Sequence, residues 1–144
     1  MNIQTLPTRT VEVLTARSAL NAVQAALAAG ADMGVPVSVA VCDPSMGLIA
    51  FAKADGATPH SVDTSRRKAQ TAASTGKPTG WMQNELAITL PLASDNKLTN
   101  VPGGIPIRYN GALVGALGIA GGTIAQDRTI AEAALTLIHA DPML

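Results

Sequence analysis

Aromatic side chains are almost absent from this sequence, in which one Phe, one Trp and one Tyr make up 2% of 144 residues. Proteins that bind single-stranded nucleic acid stack its bases on several such rings. Neither sign of charge is in excess, because ten basic and ten acidic residues give a formal net charge of zero. The chain therefore lacks the basic surface that attracts nucleic acid or an anionic membrane, and we expect neither as a partner.

Cysteine and long apolar segments are scarce as well. Cys42 is the single cysteine, which excludes an internal disulfide. No apolar run approaches the roughly 20 residues of a membrane span. The first residues also have neither the basic nor the apolar region of a secretory signal. We expect a cytoplasmic protein.

Small residues are abundant instead, and alanine and glycine stand where leucine and phenylalanine are usual. The chain is 47% hydrophobic and long enough for one globular domain, residues 1–144, with its own core. Because each alanine buries little apolar area, a lone protomer would have a thin core. We therefore expect a homo-oligomer.

Hydrophobic periodicity and turn signals predict the order helix, two strands, two helices, two strands, helix. Both strand pairs are joined as hairpins, which predicts an antiparallel sheet packed by helices, an α+β fold. The predicted helices cover residues 16–29, 59–74, 80–89 and 124–139, and the predicted strands cover 35–41, 48–53, 105–109 and 112–120. Residues 90–104 are predicted to be irregular.

Capping residues support three of these helices. Thr15 is a suitable N-cap for the first helix, and Gly30 is suitable for the position after its end. Thr58 can cap the second helix. Thr123 and Gln126 have the spacing of a capping box at the start of the last helix.

Seven of the 13 glycines lie in residues 101–123. Such density is compatible with a phosphate cradle, with a hairpin, or with close approach of another backbone or a ligand. Asn110 and Gly111 favour a type I′ hairpin turn, and Gly115 and Gly118 in the return strand favour close approach. The spacing matches neither GxGxxG nor a Walker motif, which argues against a phosphate cradle.

Three separated blocks of the sequence resemble the GlcG/HbpS family, which includes haem-binding HbpS-like proteins and the C-terminal domain of PduO. The resemblance extends over residues 12–139, nearly the whole chain. The blocks are VPVSVAVCDPSMGLIAFAKADGA, RRKAQTAAS and GGIPIRYNGALVGALGIAGGTIAQD.

The resemblance implies a profilin-like α+β fold and homo-oligomers. Characterised relatives bind haem or a related tetrapyrrole, while many uncharacterised members occur beside catabolic enzymes. The chain differs from the pattern in having Lys53 where arginine is usual, and its first helix lacks the histidines that bind haem iron in some relatives. The candidate ligand-binding residues are Lys53, Asp55, Lys68, Gly103, Gly104, Gly121, Gly122 and Asp127.

His60 is the candidate metal ligand, and also a candidate catalytic base. It lies near the start of the second predicted helix, where the positive end of the helix dipole disfavours its protonation and keeps a lone pair available. The alternative is an exposed polar residue in a first turn. His139, at the end of the last predicted helix, suits the negative end of the dipole and needs no other role.

Lys68 is the candidate carboxylate-binding residue, for a haem propionate or an organic acid, and a candidate catalytic residue if burial removes its proton. The alternative is a solvated helix lysine. Backbone N–H groups of the paired glycines could hold an anionic oxygen, although turn geometry also explains those glycines. The aspartates Asp43, Asp55 and Asp127 adjoin turns or helix starts, where capping accounts for them.

Two hypotheses lead from these residues. The first is a homo-oligomer that binds a planar, carboxylate-bearing ligand, haem according to the resemblance. The second is an isomerase, lyase or hydrolase acting on a small organic acid, in which Lys68 and glycine N–H groups hold the carboxylate while His60 or Asp43 moves a proton. A purely structural assembly protein is a third possibility.

Overall fold

Residues 5–143, which the computed structural model describes, form four α-helices and one sheet of four antiparallel strands in the order β2-β1-β4-β3. The α+β architecture and the order of elements predicted from the sequence are therefore confirmed. The elements are α1 Ala16–Asp32, β1 Ser38–Cys42, β2 Leu48–Lys53, α2 Ser61–Thr75, α3 Leu86–Ala93, β3 Gly104–Tyr109, β4 Ala112–Ala120 and α4 Ile124–Leu137.

The local signals at three element boundaries are confirmed. The Thr15 side chain caps α1 by accepting a hydrogen bond from the Ser18 N–H at 3.1 Å. Thr123 and Gln126 form the predicted capping box of α4. Asn110, with φ 51°, lies in the turn between β3 and β4, as a type I′ hairpin requires.

The predicted end of the first helix is wrong. The helix α1 continues through Gly30 to Asp32. Gly30 is buried, and a Cβ atom there would lie 2.6 Å from the carbonyl oxygen of Val35. This glycine lets the segment leading into β1 pass close to the helix, instead of ending it.

The start of the second helix was also predicted wrongly. Residues 58–60 form a turn in which the Ser61 N–H donates to the Thr58 carbonyl at 3.1 Å, and α2 begins at Ser61. His60, in place of Thr58, is the residue preceding the helix, and its side chain makes no capping hydrogen bond. The last helix ends at Leu137, before the predicted position 139.

The third helix is displaced from its prediction, because α3 begins at Leu86 and includes Pro91. Proline lacks the N–H that would bond to the carbonyl four residues earlier, so the sequence pattern around it favoured a loop. None of the residues of α3 is buried. Within residues 5–143, no helix combines the length and apolar character needed to cross a membrane.

The two faces of the sheet pack against different helices. On one face, alternate residues of β1 and β4 such as Val39 and Leu117 join a core built with α1 and α4. On the other face, small residues such as Ala40 and Ala116 pack against the alanines of α2. The chain thus forms three layers, and the small-residue face admits α2 close to the sheet.

Gly118 shows why the glycines of β4 are needed. A Cβ atom at this position would overlap the carbonyl oxygen of Ser65 and lie 2.7 Å from the backbone N of Ala69, both in α2. A Cβ atom at Gly104 of β3 would likewise overlap the Lys68 carbonyl. The glycine-rich strands therefore serve close approach of a helix backbone, and this contact fixes the position of Lys68.

Candidate functional site

A cavity of about 240 Å³ lies at the end of the sheet where β1 begins and β4 ends. One wall is the first turn of α2, with His60 and Ser61. Val101, Pro102 and Ile124, from the segment before β3 and the start of α4, form another part of the lining. Three separate segments of the chain, residues 58–68, 101–102 and 120–127, therefore build this single cavity.

A buried ion pair forms the floor of the cavity. The Lys68 ammonium lies 3.3 Å from Oδ2 of Asp127, and the two side chains are 3% and 4% exposed. Lys68 also donates a hydrogen bond to the carbonyl of Ile119 at 2.7 Å. The other carboxylate oxygen of Asp127 accepts the N–H of Gly122 at 2.9 Å. Both charges are thus paired and further hydrogen-bonded within the fold.

Burial opposes the charged form of both partners. It lowers the pKa of Lys68, while the neighbouring Asp127 carboxylate acts in the opposite direction. It raises the pKa of Asp127, against the effects of the Lys68 ammonium and the Gly122 N–H. Because the two charges are opposite and adjacent, the floor carries no net charge toward a ligand.

His60 offers an available imidazole at the mouth of this cavity. The residue is exposed, and its backbone carbonyl accepts hydrogen bonds from the backbone N–H and the hydroxyl of Thr64. Its ring makes no hydrogen bond or ion pair to any residue within 5–143. A ring nitrogen of His60 is therefore free to bind a metal centre or to move a proton.

The glycine N–H groups predicted to bind an anion are partly engaged within the fold. The Gly122 N–H bonds to Asp127, and the Gly104 N–H donates to the hydroxyl of Thr79 at 2.9 Å. Gly121 and Gly122 line the cavity, whereas Gly103 and Gly104 line a smaller neighbouring hollow of about 70 Å³. The main contribution of these glycines is therefore to the shape of the cavity and the hollow, because two of their N–H groups are already hydrogen-bonded.

The structure does not bring Asp43 to the cavity. Its carboxylate accepts the N–H groups of Ser45 at 2.8 Å and Gly47 at 2.9 Å, and so holds the turn between β1 and β2. That turn is at the far end of β1 from Ser38, roughly 13 Å away at the rise of an extended strand. Asp43 is too distant to act on a ligand in the cavity.

Lys53 and Asp55 lie at the cavity end of the sheet without lining the cavity. Lys53 pairs with Ser38 in the β1–β2 register, but β2 is an edge strand and the Lys53 side chain is exposed. Asp55 is exposed in the turn that follows. Of the predicted site residues, the cavity therefore gathers His60, Lys68, Gly121, Gly122 and Asp127. Gly103 and Gly104 lie at the neighbouring hollow, and Lys53, Asp55 and Asp43 lie outside both.

Cys42 has the inert character expected of a core residue. It is buried where β1 packs against α2, and burial raises the pKa of its thiol to about 12, with a further contribution from the Asp43 carboxylate. A thiol with so high a pKa is a poor nucleophile near neutrality. Among residues 5–143 there is also no group of three or more His, Cys, Asp or Glu side chains that could hold a metal ion.

Sequence reasoning missed several residues around the cavity. Ser61 is buried and shares a hydrogen bond of 2.7 Å with Ser38 of β1. Val101, Ile124 and Arg128 also line the cavity or its neighbouring hollow. Ile124 has one local signal, since it is an apolar residue at the first position of an amphipathic helix. No local sequence signal indicates that Ser61, Val101 or Arg128 lies at the cavity or the hollow.

The layered sheet and its small polar-floored cavity define an α+β fold with a candidate ligand site at one end of the sheet. Residues 14–136 match the family model described as haem degrading protein HbpS-like. The chain therefore belongs to the HbpS-like family, as its sequence resemblance predicted.

Individual proteins agree with this assignment. The chain is 32% identical over 130 residues to an uncharacterized 15.0 kDa protein of Citrobacter freundii from the dhaT-dhaS intergenic region, covering 87% of this chain and 92% of that protein. A crystal structure of a double mutant of Streptomyces reticuli HbpS is 34% identical, with a TM-score of 0.78 over 90% of this chain and 88% of that one. The PduOC:haem complex shares the fold with a TM-score of 0.84, at 24% identity and with 92% and 99% of the chains covered.

Proposed function

We propose that this protein binds a planar, carboxylate-bearing small molecule, with haem as the first candidate, at the mouth of the cavity. The observation that carries the proposal is the imidazole of His60, which is exposed at the cavity mouth without a partner among the described residues. Membership of the HbpS-like family supports haem as the ligand.

The residues present fit haem at the mouth rather than inside the cavity. A volume of about 240 Å³ lies below the roughly 300–1,000 Å³ of pockets that enclose drug-sized ligands. Val101 and Ile124, which are 47% and 62% exposed, supply apolar surface on which a flat macrocycle can rest. His60 would hold the iron, and haem when bound supplies redox chemistry and oxygen chemistry.

Absorbance titration with haem tests this proposal. We expect a Soret shift on binding, and we expect His60→Ala to remove the spectrum of a histidine-ligated iron. The fold should be kept, because His60 precedes the helix and its ring makes no contact that the fold requires. His139→Ala is the matched control, since the chain's other histidine lies outside this cavity. A spectrum unchanged in His60→Ala would exclude His60 as the ligand.

A small organic acid is the second candidate, because the neutral cavity floor keeps one hydrogen-bond donor without a partner among the described residues. Lys68 has three N–H donors, of which one bonds to Ile119 and one faces Asp127, so the third is available to an acid that enters the cavity. In an enzyme of this kind His60 would move the proton. Stabilisation by an organic acid in a thermal-shift screen, without a Soret change on adding haem, would favour this candidate.

Self-association belongs to the same proposal, and α3 supports it. Ile88 and Leu92, one turn apart on this helix, are 66% and 67% exposed, and Leu86 is 40% exposed. An apolar helix without buried residues is a suitable surface for a second copy of the chain. We propose a homo-oligomer in which α3 is part of the interface.

A further inference from the structure

The cavity and the smaller hollow beside it form neighbouring parts of one surface. Pro102 and Ile124 line both of them and form the ridge between them. Two consecutive residues near the start of α4 lie on different sides of this ridge, because Asp127 lines the cavity and Arg128 lines the hollow. A ligand large enough to cross the ridge would reach both His60 and Arg128.

The positive charges on the two sides of the ridge differ in availability. Among the described residues that line the two hollows, Lys68 and Arg128 carry an ammonium and a guanidinium group. Lys68 is buried and neutralised by Asp127 at 3.3 Å. Its charge is therefore already balanced when a ligand carboxylate arrives.

Arg128 is held less strongly by Glu132 than Lys68 is by Asp127. Its Nε lies 3.3 Å from Oε1 of Glu132, and the two side chains are 59% and 51% exposed. An exposed pair of this kind contributes little stability and exchanges readily. Within residues 5–143, neither terminal nitrogen of the guanidinium makes a hydrogen bond. Both nitrogens can form the paired hydrogen bonds that a carboxylate accepts from arginine.

We propose that Arg128, and not Lys68, is the carboxylate anchor of this protein, for a ligand whose apolar body lies over Pro102 and Ile124. The proposal rests on the function proposed above. In haem the anchored group is a propionate, and the iron lies on the His60 side of the ridge. Arg128 then determines the orientation of the ligand and selects macrocycles that carry carboxylates.

Titration with haem and with haem dimethyl ester, in which both propionates are esterified, tests the proposal on Arg128→Gln. We expect this substitution to raise the Kd of haem about fivefold to tenfold. This change lies between the effect of losing an exposed ion pair and that of losing a desolvated hydrogen bond to a charged group. Affinity for the ester should change by less than about twofold, because the ester offers no anion to the guanidinium. Arg128→Lys, which keeps the charge without the planar fork, should give an intermediate loss.

Arg66→Gln is the matched control, because Arg66 is also an exposed helical arginine in a weak pair, 3.7 Å from Asp63, and lies outside both hollows. It should leave the affinities for haem and for the ester unchanged.

Equal haem affinity in the wild type and Arg128→Gln would overturn the assignment of Arg128 while leaving the proposed function in place. An equal loss for haem and ester would also overturn it, since the effect would not depend on the carboxylates. Failure of the wild type to bind either porphyrin would overturn the proposed function and the anchor together.

Discussion

The ion pair of Lys68 and Asp127 shows how a residue singled out by sequence can take a different role in the structure. Lys68 was a candidate for binding a ligand carboxylate, and it lies at the floor of the cavity as that hypothesis requires. However, it is 3% exposed and its charge is balanced by Asp127. Its first function is therefore to hold the end of β4, through Ile119, against the start of α4.

Removing one partner of this pair is expected to cost far more stability than removing both. Asp127→Asn keeps an acceptor for the Gly122 N–H but leaves the Lys68 ammonium buried without a counter-charge, which costs roughly 3–5 kcal/mol. The double variant Lys68→Met with Asp127→Leu removes both charges and should be considerably more stable than the single variant. Urea denaturation measures both free energies of unfolding. A single variant as stable as the double variant would contradict a structural ion pair.

At the scale of elements, the contact between α2 and the glycine-rich strands positions the site. The backbone of α2 lies against β3 and β4 where Gly104 and Gly118 have no side chains. The sequence predicted close approach at Gly118, but not which element approaches. Hydrophobic periodicity predicts which residues of a strand face the core. It does not predict which helix packs on that face, because the packing depends on distant segments of the chain.

Gly118→Ala tests this contact. The added methyl group would overlap the α2 backbone at Ser65, so the helix must move. We expect a loss of about 3 kcal/mol in the free energy of unfolding, the upper end of the usual cost of overpacking. Gly34→Ala is the control, because Gly34 has φ +71° and open space around its Cβ position. It should cost about 1–2 kcal/mol, the ordinary penalty of a left-handed alanine. Gly118 itself does not have a left-handed φ, so a loss no larger than that of Gly34→Ala would contradict the contact with α2 as the reason for this glycine.

The exposed helix α3 gives a second prediction at this scale. Ile88→Glu and Leu92→Glu each place a charge on the surface proposed for self-association, so both should shift the protein toward monomer at micromolar concentration. Protomer stability should change by no more than about 0.5 kcal/mol, as for other surface substitutions. Leu137→Glu, at a residue 57% exposed on α4, is the control and should leave the assembly intact. Light scattering reports the mass, and a monomeric wild type across this range would contradict the proposed interface.

For the whole molecule, local sequence signals predicted the order of the elements and their antiparallel pairing, because these depend on periodicity, turns and caps within short segments. They predicted only part of the cavity, since His60, Gly121 and Gly122 were candidates whereas Val101, Pro102 and Ile124 were not. Lys68 meets Ile119 across 51 residues and Asp127 across 59, and Ser61 meets Ser38 across 23. The family resemblance identified Lys68 and Asp127 as candidates individually, but only the packed fold shows that they neutralise each other.

Ligand binding should therefore stabilise the molecule as a unit, because the proposed surface joins the start of α2, the segment before β3 and the start of α4. A ligand that binds the native state alone adds about 2.7 kcal/mol at a free concentration of 100 times its Kd. For a chain of this size that corresponds to a rise in Tm of roughly 5–10 °C.

Thermal unfolding with and without haem measures this shift, which should be present in the wild type and in His139→Ala. At the same haem concentration, His60→Ala should show a smaller shift, because loss of the iron ligand raises Kd and lowers the ratio of free haem to Kd. A full shift in His60→Ala would place the haem elsewhere on the molecule. Stabilisation by a small organic acid and none by haem would instead favour the organic-acid candidate, and loss of that stabilisation in Lys68→Met would place the acid at the cavity floor.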